Sequence, residues 1–180
     1  MKKIIAIICT VLLLAAGVYY LYKMGEVGTK EISIVNNNGD EVGTARLNET
    51  RIGVLVGLEL RGLKPNGTHA IHIHEKADCT PLSSFKNAGG HFNPEEVSHG
   101  MKHTDGHHAG DMPNLEANSE GRIVTQILNR KITMYLSNVD NRFSLFDDDG
   151  SAIVVHADAD DHRSQPSGAA GRRILCGEIK

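Results

Sequence analysis

The chain has 180 residues and a formal net charge of -3, and with no basic cluster or aromatic-studded stripe this argues against nucleic acid as a partner. Setting aside about 25 N-terminal residues leaves about 155, which suits one domain with a real core. Aromatics are scarce at 4%, tryptophan is absent and glycine is frequent at 19, a composition that favours short strands and tight turns over a helical bundle.

The chain opens with a 19-residue run free of charge, Ile4 to Tyr22, between Lys2 and Lys3 on one side and Lys23 on the other. This is an export signal. The run is long enough to cross a bilayer and no clean small-x-small site closes it, so residues 1–25 read as a signal peptide or an N-terminal membrane anchor. The reading leans towards an uncleaved anchor with the paired lysines inside. Residues 26–180 form the domain.

Within the domain the pattern is strand, turn, strand. Residues 31–35 alternate, the NNNGD turn (36–40) follows, and residues 41–47 run on as a second strand. A third covers 52–63, and KPNG (64–67) turns it into THAIHIHE (68–75). There the alternation of a strand puts His72 and His74 on one face and Ile71 and Ile73 on the other. Later strands are expected at 121–128, 131–136, 152–156 and 173–179. Two segments lack periodicity, 75–118 and 157–172, and loops of that length in a compact domain are functional or disordered. The first holds His91, His99, His107, His108 and Asp111 among many glycines; such a loop has no core of its own, and a metal is a reasonable organiser. The bland alternative is a solvated histidine-rich loop. Leaving out Cys9, only Cys79 and Cys176 remain, and in an oxidising compartment they can form one disulfide, although nothing in the sequence alone fixes the pairing.

Taken together these residues resemble the copper/zinc superoxide dismutase family. Four separated signatures carry the resemblance in order: HAIHIHE (69–75), GGHFNP (89–94), SHG (98–100) with HHAGD (107–111), and VVHADAD (154–160) with GRRILCG (171–177). It covers about residues 31–180, and the AGGH and GDMPNL runs look more like the bacterial branch. The resemblance implies an all-β fold, a Greek-key eight-stranded barrel or sandwich with long metal-binding and electrostatic loops. It implies one copper per subunit on His72, His74, His91 and His156, and one zinc on His91, His99, His108 and Asp111, with His91 bridging. Asp160 matches the carboxylate linking a copper histidine to a zinc histidine, here His72 and His99. Arg173 matches the arginine that receives the substrate anion, which makes His91 and Arg173 the catalytic pair.

The activity implied is superoxide dismutation in the periplasm or another extracytoplasmic space. A non-enzymatic copper/zinc-binding envelope protein is the alternative, and a zinc hydrolase is disfavoured because no H-E-x-x-H occurs. His103 and His107 compete for the zinc role, but Gly100 and Gly106 oppose the helix that their spacing needs. His69 matches a structural histidine of the family, His162 reads as a surface residue, and Arg172 departs from the usual small residue. Inner-membrane anchoring and a homodimer stay open.

Overall fold

The computed structural model describes residues 28–104 and 106–180. The expected signal or anchor at residues 1–25 lies outside them. The strands are β1 (Thr29–Asn36), β2 (Glu41–Thr50), β3 (Gly53–Leu60), β4 (Thr68–His69), β5 (Ile71–His74), β6 (Leu115–Glu116), β7 (Ile123–Asn129), β8 (Ile132–Thr133), β9 (Phe143–Ser144), β10 (Ser151–His156) and β11 (Arg173–Ile179). Two short 3-10 turns, Pro81–Ser83 and Lys86–Ala88, interrupt the loop after β5, and no α-helix occurs among the described residues.

Seven strands form one antiparallel sheet in the order β5-β10-β11-β1-β2-β3-β7. The chain builds β1 to β3 as neighbours, crosses to the far edge as β5, returns beside β3 as β7, and crosses again to β10 and β11; this is Greek-key traffic. The opposite edges feed one core. Ile71 and Ile73 of β5 and Ile123 of β7 bury against Ile34, Leu47, Val56 and Ile153, which requires the sheet to curl round its apolar face.

The expected turn between the first two strands is present, with Asn36 Oδ1 accepting from the N–H groups of Asn38 and Asp40 at 2.8 and 3.0 Å. The strand expected at 131–136 is largely absent. Only β8 pairs, in parallel with β9, because the Glu49 carboxylate takes the Met134 N–H and the Thr133 hydroxyl at 2.6 and 3.1 Å. Arg142 closes that buried network with a 2.6 Å contact to the other oxygen of Glu49. The third strand stops at Leu60, three residues short of the expectation, where Gly62 turns at φ +79°.

All six residues of β10 are buried. Ile153 and Val155 face the main core, while Ala152 and Val154 meet a second cluster of Cys79, Phe85, Ala88 and Cys176. That cluster is the loop following β5, folded over the outer face of the sheet. Cys79 and Cys176 are joined as a disulfide across 97 residues.

Candidate metal centre

Strand β5 carries the first donors. Ile71 and Ile73 point into the core, so His72 and His74 share the opposite face, where the loops cover them completely. The outer edge of β5 is not free. Ile73 N–H donates to Gly110 O at 2.9 Å and Ile73 O accepts from Phe92 N–H at 2.9 Å, so backbone pairing draws His91 beside His74 and Asp111 beside His72. Gly110 permits this approach, since a Cβ there would stand 2.2 Å from Ile73 O. Phe92, Ala109 and Met112 anchor the same loop in the core. Burying a side chain such as Phe92 contributes about 2 kcal/mol, so the alternation His91 out, Phe92 in fixes the histidine without a strand of its own.

On the neighbouring strand His156 follows a register shift at the end of β10. The donor atoms of His72, His74, His91 and His156 lie within 4.8 Å of one another, and all four residues are buried. Their outward nitrogens are spent: His74 Nδ1 donates to Gly89 O at 3.1 Å, His156 Nδ1 to Gly171 O at 3.3 Å, and His72 Nε2 to Asp160 at 2.9 Å. The nitrogens that remain, His72 Nδ1, His74 Nε2, His91 Nε2 and His156 Nε2, are buried with no hydrogen-bond partner. Four orphaned imidazole nitrogens turned to one point are what a metal ion satisfies. Burial, then neighbouring positive charge, pushes His74 well below its usual range. Burial likewise leads in bringing His91 down to about 4 and His156 to about 3, so this group is neutral.

The second group gathers on Asp111. Its Oδ1 lies 3.2 Å from His91 Nδ1, 3.0 Å from His99 Nδ1 and 3.3 Å from His108 Nδ1, and the His91 and His108 nitrogens are 3.4 Å apart. A tetrahedral ion with bonds of about 2.0–2.1 Å needs donor separations of about 3.3 Å. Three of the four separations, 3.2, 3.3 and 3.4 Å, are close to that spacing, and the His99–Asp111 one is shorter at 3.0 Å. The set whose donor atoms all lie within 4.8 Å of one another is His72, His91, His99 and Asp111; His108 falls outside that set although its Nδ1 is 3.3 Å from Asp111 Oδ1, and Asp160 holds His72 Nε2. Burial opposes charge on both Asp111 and His99, yet hydrogen bonding outweighs it. Contacts with His108, His91 and His99 hold Asp111 far below the usual carboxylate range, and the two carboxylates raise His99 to about 9. Asp160 joins the groups, with one oxygen on His72 Nε2 and the other 3.0 Å from His99 Nε2.

Residues 41–179 match the family model for copper/zinc superoxide dismutase. The chain belongs to the copper/zinc superoxide dismutase family. It is 44% identical over 147 residues to a Cu-Zn superoxide dismutase of Aquifex aeolicus, covering 82% of this chain and 84% of that one. Identity to the Cu-Zn superoxide dismutase of Caulobacter vibrioides is 43% over 145 residues, covering 79% and 80%. Among solved structures, a superoxide dismutase-like protein from Bacillus subtilis superposes with a TM-score of 0.78 at 34% identity, covering 83% of this chain and 97% of that one. Copper and zinc are the metals of this superoxide dismutase family, and the two donor groups suit two ions side by side.

Arg173 completes the site. It starts β11 opposite His156, and its two terminal nitrogens each donate to a carbonyl at 2.6 Å, one to Phe85 and one to Gly89. Gly89 O therefore orients both Arg173 and His74. Glycine is required there: its φ is +75° and a Cβ would stand 2.3 Å from Glu75 Oε1. The disulfide ties the loop carrying these carbonyls to the strand carrying Arg173.

His103 and His107 join neither donor group among the described residues; His107 Nδ1 donates to His108 O at 2.8 Å. His162 is not a plain surface residue, since it is half-buried and its N–H donates to Asp160 at 2.6 Å. Two positioning side chains escape sequence reasoning. Gln165 clamps the backbone of His99, accepting from its N–H and donating to its carbonyl at 2.9 Å each. Asn114 does the same for Asp160 at 2.8 Å. The GDMPNL run contains Asn114 but carries no sign of that partner.

Proposed function

We propose that the chain is a superoxide dismutase of the cell envelope, holding copper on His72, His74, His91 and His156 and zinc on His91, His99, His108 and Asp111. The observation that carries this reading is the sharing of His91, whose Nδ1 belongs to the Asp111 group and whose Nε2 is left to the other. When bound, copper supplies a one-electron couple: one superoxide gives up an electron and leaves as dioxygen, and a second receives it and leaves, with two protons, as hydrogen peroxide.

The protein's own part is to hold, steer and protonate. Arg173 uses some of its N–H donors on Phe85 and Gly89 and keeps the rest for the incoming monoanion. Burial lowers its pKa while Glu75 raises it, and a guanidinium stays charged at neutral pH. His91 Nε2 is the ring position at which this chain can hold a proton for the departing peroxide. Asp160 keeps the His72 ring oriented, with its Nδ1 free. A local cation matters here more than the overall charge of -3. The disulfide supports an oxidising, extracytoplasmic location, in keeping with the export signal read at residues 1–25.

The test is metal stoichiometry measured together with superoxide consumption, in the native chain and in Arg173→Ala. We expect both metals to bind in both proteins and kcat/KM to fall roughly tenfold or more in the variant. Full metal loading with no superoxide consumption by the native chain would instead select the non-enzymatic metal-binding reading.

A further inference from the structure

A carboxylate stands beside the anion site that the proposed function assigns to Arg173. Glu75 follows His74 directly at the end of β5, and it is exposed. Its backbone N–H donates to Gly90 O at 3.1 Å, and its Oε1 accepts from Gly90 N–H at 3.0 Å. The side chain lies against Gly89, where an added Cβ would stand 2.3 Å from Oε1 and 2.5 Å from Cγ. Glu75 therefore grips the short turn whose Gly89 carbonyl accepts from Arg173 at 2.6 Å and from His74 at 3.1 Å.

That grip does not need a charge, because a glutamine Oε1 would accept the same bond. The charge is kept all the same. Among the described residues no ion pair neutralises Glu75, and Lys76, the next residue, turns to Asp149 at 3.4 Å. The carboxylate acts on Arg173 instead, raising the pKa of the guanidinium against burial. A field that favours a cation at Arg173 repels an anion arriving beside it, in proportion to the charge on that anion. Superoxide carries one negative charge, whereas sulfate carries two.

We propose that Glu75 is a specificity-determining residue, which lets monoanions such as superoxide reach Arg173 and holds back divalent oxyanions by repulsion through space. The proposal rests on the reading of Arg173 as the site of the substrate anion. It sets a repulsive group beside an attractive one, so that a competitor with twice the charge meets twice the opposition.

Glu75→Gln tests this, since it keeps the bond to Gly90 and removes the charge. In the chain loaded with zinc and reduced copper, which is diamagnetic, NMR titration of the Arg173 Nε–H and Gly90 N–H signals with chloride and with sulfate at matched ionic strength gives both dissociation constants. Expected in the variant are chloride binding about threefold tighter and sulfate binding tighter by about the square of that factor, about tenfold. In Arg173→Ala the binding of both anions should disappear. Superoxide kcat/KM in Glu75→Gln should rise by up to the chloride factor. Equal factors for the two anions, an unchanged sulfate affinity, no saturable sulfate binding in Glu75→Gln, or sulfate binding that survives Arg173→Ala would each overturn the proposal. A chain that shows the two factors but consumes no superoxide would defeat the proposed function alone, because the anion selectivity is read without turnover.

Discussion

The two donor groups share His91 and differ in nearly everything else. In the first, strands β5 and β10 carry three of the four histidines, and two rings are oriented by backbone carbonyls. In the second, His99, His108 and Asp111 all sit on the loop that precedes β6, and carboxylates orient the rings. The same side chain answers in opposite directions, with His156 brought to about 3 and His99 raised to about 9. Burial keeps the His156 ring neutral, whereas two carboxylates, Asp111 and Asp160, on the one ring of His99 outweigh burial and hold it charged. The first set is mounted on strands and neutral, and in the loop-mounted second set His99 is the ring that carries charge.

The strongest way to break this contrast is Asp111→Asn, which removes the charge on which His91, His99 and His108 converge. Leaving the buried, charged His99 without this counter-charge should cost about 3–5 kcal/mol in the metal-free chain. Elemental analysis should show zinc falling at least tenfold, with copper retained. Full zinc in the variant would refute the carboxylate's role as organiser. A smaller effect is expected from the double replacement Cys79→Ser with Cys176→Ser, about 2–4 kcal/mol by thermal or denaturant unfolding. This change should act on the other side of the contrast. It frees the loop whose Phe85 and Gly89 carbonyls hold Arg173 and His74, so superoxide turnover should drop while zinc content holds. Equal loss of zinc would show that the two groups are not mechanically separate.

What could be read in advance follows from how local each determinant is. The β5 alternation is legible because Ile71 and Ile73 face the core in strict period two with His72 and His74. The NNNGD turn is legible because Asn36 caps it from within. The strand expected at 131–136 fails because its Met134 N–H is taken by Glu49, 85 residues away. No pattern inside the segment signals that competitor. The zinc loop lies between these cases. Its histidines announce a metal, but spacing leaves His103, His107 and His108 equivalent, and only the resemblance favours His108. In the folded loop His107 Nδ1 goes to a carbonyl and His108 Nδ1 to Asp111. The double role of Gly89 O is likewise hidden, since a carbonyl has no residue type.

The smallest predicted effect concerns the metal-free protein, where protons compete directly with the contrast. His91 and His156 have folded pKa values of about 4 and about 3, below the unfolded value of about 6.5. Below that value the unfolded chain binds protons that the folded one refuses, so these two rings withdraw stability as pH falls from about 6.5 towards their folded values. His99 works the other way. With its folded value at about 9, the stability it contributes is fully present below about 6.5 and is lost as pH rises through about 9. Denaturant unfolding of the metal-free chain should therefore show a loss of at least about 2 kcal/mol between about pH 6 and pH 5, from His91 and His156 at close to one proton each, with the lowered His74 and His72 adding in the same direction. A separate decline should begin on the alkaline side. Filling both donor groups should flatten the two limbs together, because each nitrogen then binds an ion and not a proton. A metal-free protein whose stability is level from about pH 5 to pH 9 would mean that the rings are not held in these opposed environments.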